Sequence, residues 1–135
     1  MTQDEKDILL KDLCARLPYG VEVEYNSIKC EVLSIDKYNE ELTIRICPGY
    51  CPVVKLEDVK PFLFPFSSMT DEDHTIYFKI WEDTGKMAYL EGCHHLICNI
   101  KAYKIANDYL LNKHYDINGL IPKGLANDAT GLNIY

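Results

Sequence analysis

The sequence predicts an α+β fold: an N-terminal helix, a small bent antiparallel sheet or SH3-like barrel, then two helices and an irregular C-terminal tail. Three observations carry that prediction. Up to Leu17, and again after Thr70, apolar residues recur every three or four positions, the spacing of a helix with one buried face. Between Val21 and Phe64 the period drops to two, as in strands that are apolar on one side. Pro61 and Pro65 mark the changeover from strands to helices, because proline has no amide to donate and restrains the residue before it.

The first helix is expected from about Gln3 to Leu17. Thr2 and Glu5 have capping-box spacing, Asp4 and Asp7 suit the positive end of the helix dipole, and Arg16 suits the negative end. Leu9, Leu10, Leu13, Cys14 and Leu17 form one stripe, with Lys6, Asp7, Lys11 and Asp12 largely off it. Such a stripe docks first on the protein's own sheet. Leu17-Pro18-Tyr19-Gly20 then ends the helix.

Val21, Val23 and Tyr25 alternate with Glu22 and Glu24, and Asn26-Ser27 offers a tight turn. Ile28, Cys30 and Val32 resume the alternation until Leu33 and Ile35 change parity, which predicts a bulge near Val32. A polar loop from Asp36 leads to Leu42, Ile44 and Ile46, and the turn Cys47-Pro48-Gly49-Tyr50-Cys51 leads to short apolar pieces from Val53 to Phe64. Strands this short need closure into a barrel or a cover, and the first helix is the expected cover.

Thr70, with Asp71, Glu72 and Asp73 behind it, opens the second helix, which the spacing of Ile76, Tyr77, Ile80 and Trp81 carries to about Asp83. Gly85 is the expected stop, followed by a loop or a short strand at Met87 to Leu90. A third helix from about Leu96 to Lys113 turns Cys98, Ala102, Ile105, Ala106, Tyr109 and Leu110 inward. Beyond it Gly119, Pro122, Gly124 and Gly131 predict an irregular tail in which Leu120, Ile121 and Leu125 pack locally. The length of 135 residues fits one domain, residues 1–66 forming the helix and barrel-like part and residues 67–135 the helical part.

The formal charge of −7 is spread along the chain, with 8 basic against 12 acidic residues up to Ser68 and 6 against 9 after it. No basic segment hides in that total, which argues against nucleic-acid binding through neutralised phosphates. The start, Met1-Thr2-Gln3-Asp4-Glu5-Lys6-Asp7, lacks the basic-then-apolar order of an export signal, and no apolar run reaches the roughly 18 residues that cross a bilayer. A cytoplasmic protein without a membrane segment is the expectation. In that compartment the six cysteines are thiols or metal ligands before they are disulfides.

Two chemistries remain open at those cysteines. Cys47, Cys51, His94 and Cys98 could together hold zinc, since the Pro48-Gly49 turn can bring two sulfurs together and ligands four apart share a helix face. The Cys-x3-Cys spacing differs from the Cys-x2-Cys of zinc ribbons, so reduced, partly buried cysteines compete with this reading, as does a Cys47–Cys51 disulfide. Cys98 beside His94 is also a candidate nucleophile–base pair, although no recognisable motif supplies an oxyanion hole. The carboxylate doublets, such as Glu40-Glu41 and Glu57-Asp58, read as solvated turns, and no nucleotide-binding or hydrolase motif occurs. Ten tyrosines are many for this length, and Tyr38, Tyr50, Tyr89, Tyr115 and Tyr135 fall in expected loops or ends, the first four being the candidate interaction residues. Rings so placed either form a recognition surface or cover the ends of the small barrel with their hydroxyls in water.

Three stretches together resemble a widespread uncharacterised family of small proteins of gut anaerobic bacteria, their phages and mobile elements. They are Leu9 to Val21 (LLKDLCARLPYGV), Asp58 to Thr70 (DVKPFLFPFSSMT) and His114 to Ala126 (HYDINGLIPKGLA). The cysteine–histidine cluster lies outside all three, and the resemblance transfers no catalytic residue. It implies a mobile-element setting, in which small proteins often act by binding a host or phage macromolecule. The function expected from all this is a non-enzymatic binding module with a protein partner, of open oligomeric state, with a zinc-stabilised domain and a thiol-dependent enzyme as the alternatives.

Overall fold

The computed structural model describes residues 1–90 and 95–135, with side chains described as far as Thr84 and again from Ile100. The class is α+β, as expected. Helix α1 (Gln3–Arg16) precedes strands β1 (Glu22–Tyr25), β2 (Ile28–Asp36), β3 (Glu41–Arg45), β4 (Val53–Lys55) and β5 (Val59–Leu63). Helices α2 (Asp71–Leu90) and α3 (His95–Asn112) follow, and a last short strand β6 (Asn127–Asp128) returns to the sheet.

Helix α1 starts where its chemistry says it should. The Thr2 hydroxyl accepts from the Glu5 amide at 3.2 Å, and the Glu5 carboxylate accepts from the Thr2 amide at 2.8 Å. Leu9 and Leu13 are wholly buried in the main core, each contributing about 1.5–3 kcal/mol of transfer free energy. Cys14, expected on the same stripe, is exposed. Lys6 fixes the helix laterally through ion pairs of 3.0 Å to both Glu40 and Glu57, which flank the outer strands.

The sheet order is β4-β3-β2-β1-β5-β6. Asn26 and Ser27, with φ of +50° and +62°, make the two-residue turn whose twist suits a hairpin between β1 and β2. The expected bulge is present as a register shift between Val32 and Ser34. The Pro48-Gly49 turn closes by a Tyr50 amide bond to the Cys47 carbonyl of 3.0 Å, with Gly49 at φ +83°, the left-handed conformation that glycine adopts without strain.

One expectation needs correction. The strands do not close into an SH3-like barrel: β4 and β6 lie at opposite edges of an open sheet, and β6 runs parallel to β5. The edge strands have only three and two residues, too few to pair across the gap. The apolar face of the sheet is covered by Leu9 and Leu13 from α1, together with Leu120, Leu125 and Ala126 from the tail. The tail is mostly irregular, as expected, and it also contributes to the sheet. Phe64 donates to the His114 carbonyl and accepts from the Asp116 amide, both at 2.9 Å, and the Ala129 amide donates to Leu63 at 2.8 Å. Residues assigned to the helical part therefore complete the sheet.

The second helix passes through Gly85 to Leu90 instead of stopping there. A mid-helix glycine costs only about 1 kcal/mol relative to alanine, and Met87, Ala88 and Leu90 are good helix formers. No described helix is long and apolar enough to cross a membrane.

Candidate interaction surface

Helices α2 and α3 pair antiparallel. Asp73, in the first turn of α2, meets Tyr109 near the end of α3, while Trp81, two turns further along α2, shares a groove with Tyr103. Ala102, Ala106 and Leu110 of α3 are buried between the helices and their base, as their spacing predicts. Ile105, expected inward with them, is 49% exposed.

The base of the hairpin is a carboxylate clamp. Thr70 caps α2 by accepting from the Asp73 amide at 3.1 Å, and the Asp73 carboxylate accepts from the hydroxyls of Tyr109 at 2.6 Å and Tyr115 at 2.7 Å. Burial opposes the Asp73 charge, but the bonds from Tyr109, Tyr115 and Thr70 hold its carboxyl below the ordinary value. Burial and the same carboxylate push the Tyr115 hydroxyl up to about 12 and raise that of Tyr109 as well. Both phenols thus stay protonated as donors. A cavity of about 250 Å³ opens beside this clamp, lined among others by Ser68, Asp73, Lys113 and Thr130. Its carboxylate is committed to two phenols, with Lys113 Nζ at 3.7 Å, so the group ties the hairpin to the sheet and offers no poised base.

The flank of the hairpin differs in kind. His74, Tyr77, Phe78 and Trp81 follow one another at three- and four-residue spacing along α2, so they share one side of it. The rings touch in series: His74 stacks on Phe78 at 6.5 Å, and Tyr77 meets Trp81 edge-on at 6.4 Å. Across the hairpin, Tyr77 and Trp81 face Tyr103, Ala106 and Leu110 over a groove of about 190 Å³, with Phe66 and Ile117 at its base. Phe78 is 67%, Tyr103 64% and Ile100 61% exposed. A two-helix layer buries one stripe per helix, and the apolar arc from Ile76 and Ile80 round to Phe78 is wider than that stripe, so aromatic rings are left in water.

The sequence-predicted residues are distributed otherwise. Cys47 and Cys51 lie on the turn between β3 and β4, exposed and not joined by a disulfide. His94 is outside the described residues, as is the side chain of Cys98, so the Cys98–His94 pair falls there too. Among the described residues no three His, Cys, Asp or Glu side chains group as metal ligands. Tyr38 and Tyr50 are exposed, on two different turns of the sheet, and the Tyr89 side chain is outside the described set. Tyr115 is a correction: it is only 4% exposed, because its hydroxyl is drawn in to Asp73 and its ring stacks on Phe66 at 5.9 Å. The sequence reading does not single out the aromatic flank, because Tyr77 and Trp81 read there only as part of one apolar helix face with Ile76 and Ile80. The readable signal was His74 and Phe78 beside them, which widen the arc beyond what one partner helix covers.

A second polar centre is buried under α1. Asp12 and Arg16 are both fully buried and pair through two bonds, of 2.6 Å from Nε and 3.1 Å from Nη2. Nη2 also donates to the Tyr115 carbonyl at 2.6 Å, and the Asn118 side-chain amide donates to Asp12 at 2.7 Å. Next to it His114 stacks face to face on Tyr135, ring centroids 3.4 Å apart. Burial, helped by the Arg16 charge, lowers the His114 pKa to about 4. These groups fasten the tail to α1 and β5. The chain matches no family model, no curated protein and no solved structure.

Proposed function

We propose that this chain is a non-enzymatic interaction module that engages a protein partner through the aromatic flank of the α2/α3 hairpin, in the phage or mobile-element setting that the sequence resemblance implies. The observation that carries the reading is the row of rings on α2, of which Tyr77 and Trp81 face Tyr103 of α3 across the groove while Phe78 and Tyr103 stand exposed. Exposed aromatic residues with few rotatable bonds lose little entropy on contact and dominate binding energy. The polar groups beside them are bonded to one another, which speaks for a surface over a reaction centre.

The test is site-directed photo-crosslinking in cells that make the protein natively, with Tyr103→p-benzoylphenylalanine on the flank and Tyr38→p-benzoylphenylalanine on the loop between β2 and β3. The expected result is a protein adduct from position 103 and none from position 38. Adducts from 38 alone, or from neither, would end the reading.

A further inference from the structure

We infer that Arg16 and His114 hold a single buried water molecule between them, sealed in by Tyr135. Arg16 is fully buried, and a guanidinium carries donors on all three of its nitrogens. Nε and Nη2 donate to Asp12, and Nη2 also donates to the Tyr115 carbonyl at 2.6 Å. Nη1 has no partner among the described residues. His114 is only 8% exposed, and its Nδ1 is unmet in the same way.

The two unmet atoms belong to one polar cluster. The carbonyl that Nη2 grips is that of the residue directly after His114, and the Arg16 charge acts on both members of the His114–Tyr135 stack. A donor or acceptor stranded in a protein interior is costly, and native proteins meet such groups with ordered water making about three bonds.

The chemistry of the pair selects the occupant. Asp12 and Arg16 cancel one another's charge, so no counter-ion is called for. Nη1 only donates. His114, with a pKa of about 4, is neutral at physiological pH and offers Nδ1 as an acceptor when its proton sits on Nε2. The molecule between them must accept from one and donate to the other. Water does both, whereas a halide donates nothing and a metal cation is repelled by the guanidinium.

Tyr135 closes the site. Its ring lies face to face on His114, centroids 3.4 Å apart, and its hydroxyl donates to the Phe62 carbonyl at 2.8 Å while accepting from the Glu22 amide at 3.3 Å. With 46% of its surface in solvent, Tyr135 is the outer layer over His114, so exchange of the water waits on the tail lifting.

A crystal structure of the full chain at about pH 7, from crystals soaked in sodium bromide, tests the occupant. The expected result is one solvent peak within about 3.2 Å of both Nη1 and Nδ1, without bromide anomalous signal. A bromide signal there, the two atoms bonded to each other or to other protein groups, or no peak between them would each overturn the proposal. Oxygen-17 magnetic relaxation dispersion tests the seal in solution, comparing wild type with Tyr135→Phe, which keeps the ring and loses both bonds of the hydroxyl; circular dichroism confirms that the variant folds. The residence time of one buried water should fall at least about tenfold in the variant, and an unchanged residence time would overturn the role given to Tyr135.

Discussion

Replacing Arg16 by Met should destabilise the fold by about 4 kcal/mol, a large share of the 5–15 kcal/mol typical of a domain. Arg16 and Asp12 are both 0% exposed, and the guanidinium gives Asp12 two of its three hydrogen bonds. Removing it strands a buried carboxylate that keeps only the Asn118 amide, a situation that costs about 3–5 kcal/mol. The Tyr115 carbonyl also loses its donor, worth about 1 kcal/mol, and the apolar Met side chain recovers part of the sum by filling the space. At about 4 °C per kcal/mol for a chain of this size, the melting temperature should fall by about 15 °C. The double variant Asp12→Leu with Arg16→Met removes both charges and leaves only neutral partners unmet, so it should lose about 1–2 kcal/mol and be more stable than the single variant. Urea denaturation followed by circular dichroism measures both. A single variant within about 1 kcal/mol of wild type, or a double variant less stable than the single, would refute the argument that this charge pair is mutually dependent.

Two further outcomes follow from the buried tail and strands. His114 takes up a proton near 6.5 when unfolded but only near 4 when folded, so between those values the unfolded chain binds more protons and stability must fall as pH drops from 6.5 to 4. In His114→Asn, which tolerates the φ of +63° at this position, the urea midpoint should change less over that interval; an identical pH profile would contradict the assignment. Cys30 is 1% exposed and burial, with Glu22 nearby, pushes its thiol pKa up, so it should resist alkylation in the native state while Cys14, Cys47 and Cys51 react. Peptide mapping after a short exposure to iodoacetamide checks this, and Cys30 labelled as fast as Cys47 would show that β2 opens readily.

The parts of this fold that local chemistry decides were legible in the residues themselves. The Thr2 and Glu5 box, the Asn26-Ser27 turn and the bulge after Val32 each depend on neighbours a few positions apart, and each is where the spacing predicts. What depends on distant partners was not. Asp12 lies off the apolar stripe and Arg16 suits a helix end, so each reads as a solvated charge, and only Tyr115 and Asn118 arriving from the tail make a buried pair of them. Tyr115 likewise reads as an exposed loop ring until Asp73 is known to be beside it. The open sheet has the same origin: two-residue β6 carries no strand pattern of its own and is defined by the Phe62 and Leu63 it joins. As for the candidate surface, Tyr77 and Trp81 were visible as an apolar face, but whether a third layer covers them is a property of the assembled chain.

The parallel pairing of β6 with β5 has a consequence for how the chain is made. Strand β5 is synthesised before both long helices, yet the residues that shield its outer edge, from Tyr115 to Ala129, leave the ribosome only after them. Throughout that interval a nascent chain carries an unprotected strand ending in Phe62, Leu63 and Phe64, the kind of edge that recruits foreign strands. The helical hairpin is thus translated during the period of greatest aggregation risk, and Pro61 and Pro65, which cannot donate to an incoming strand, stand at either side of that apolar triplet as built-in gatekeepers.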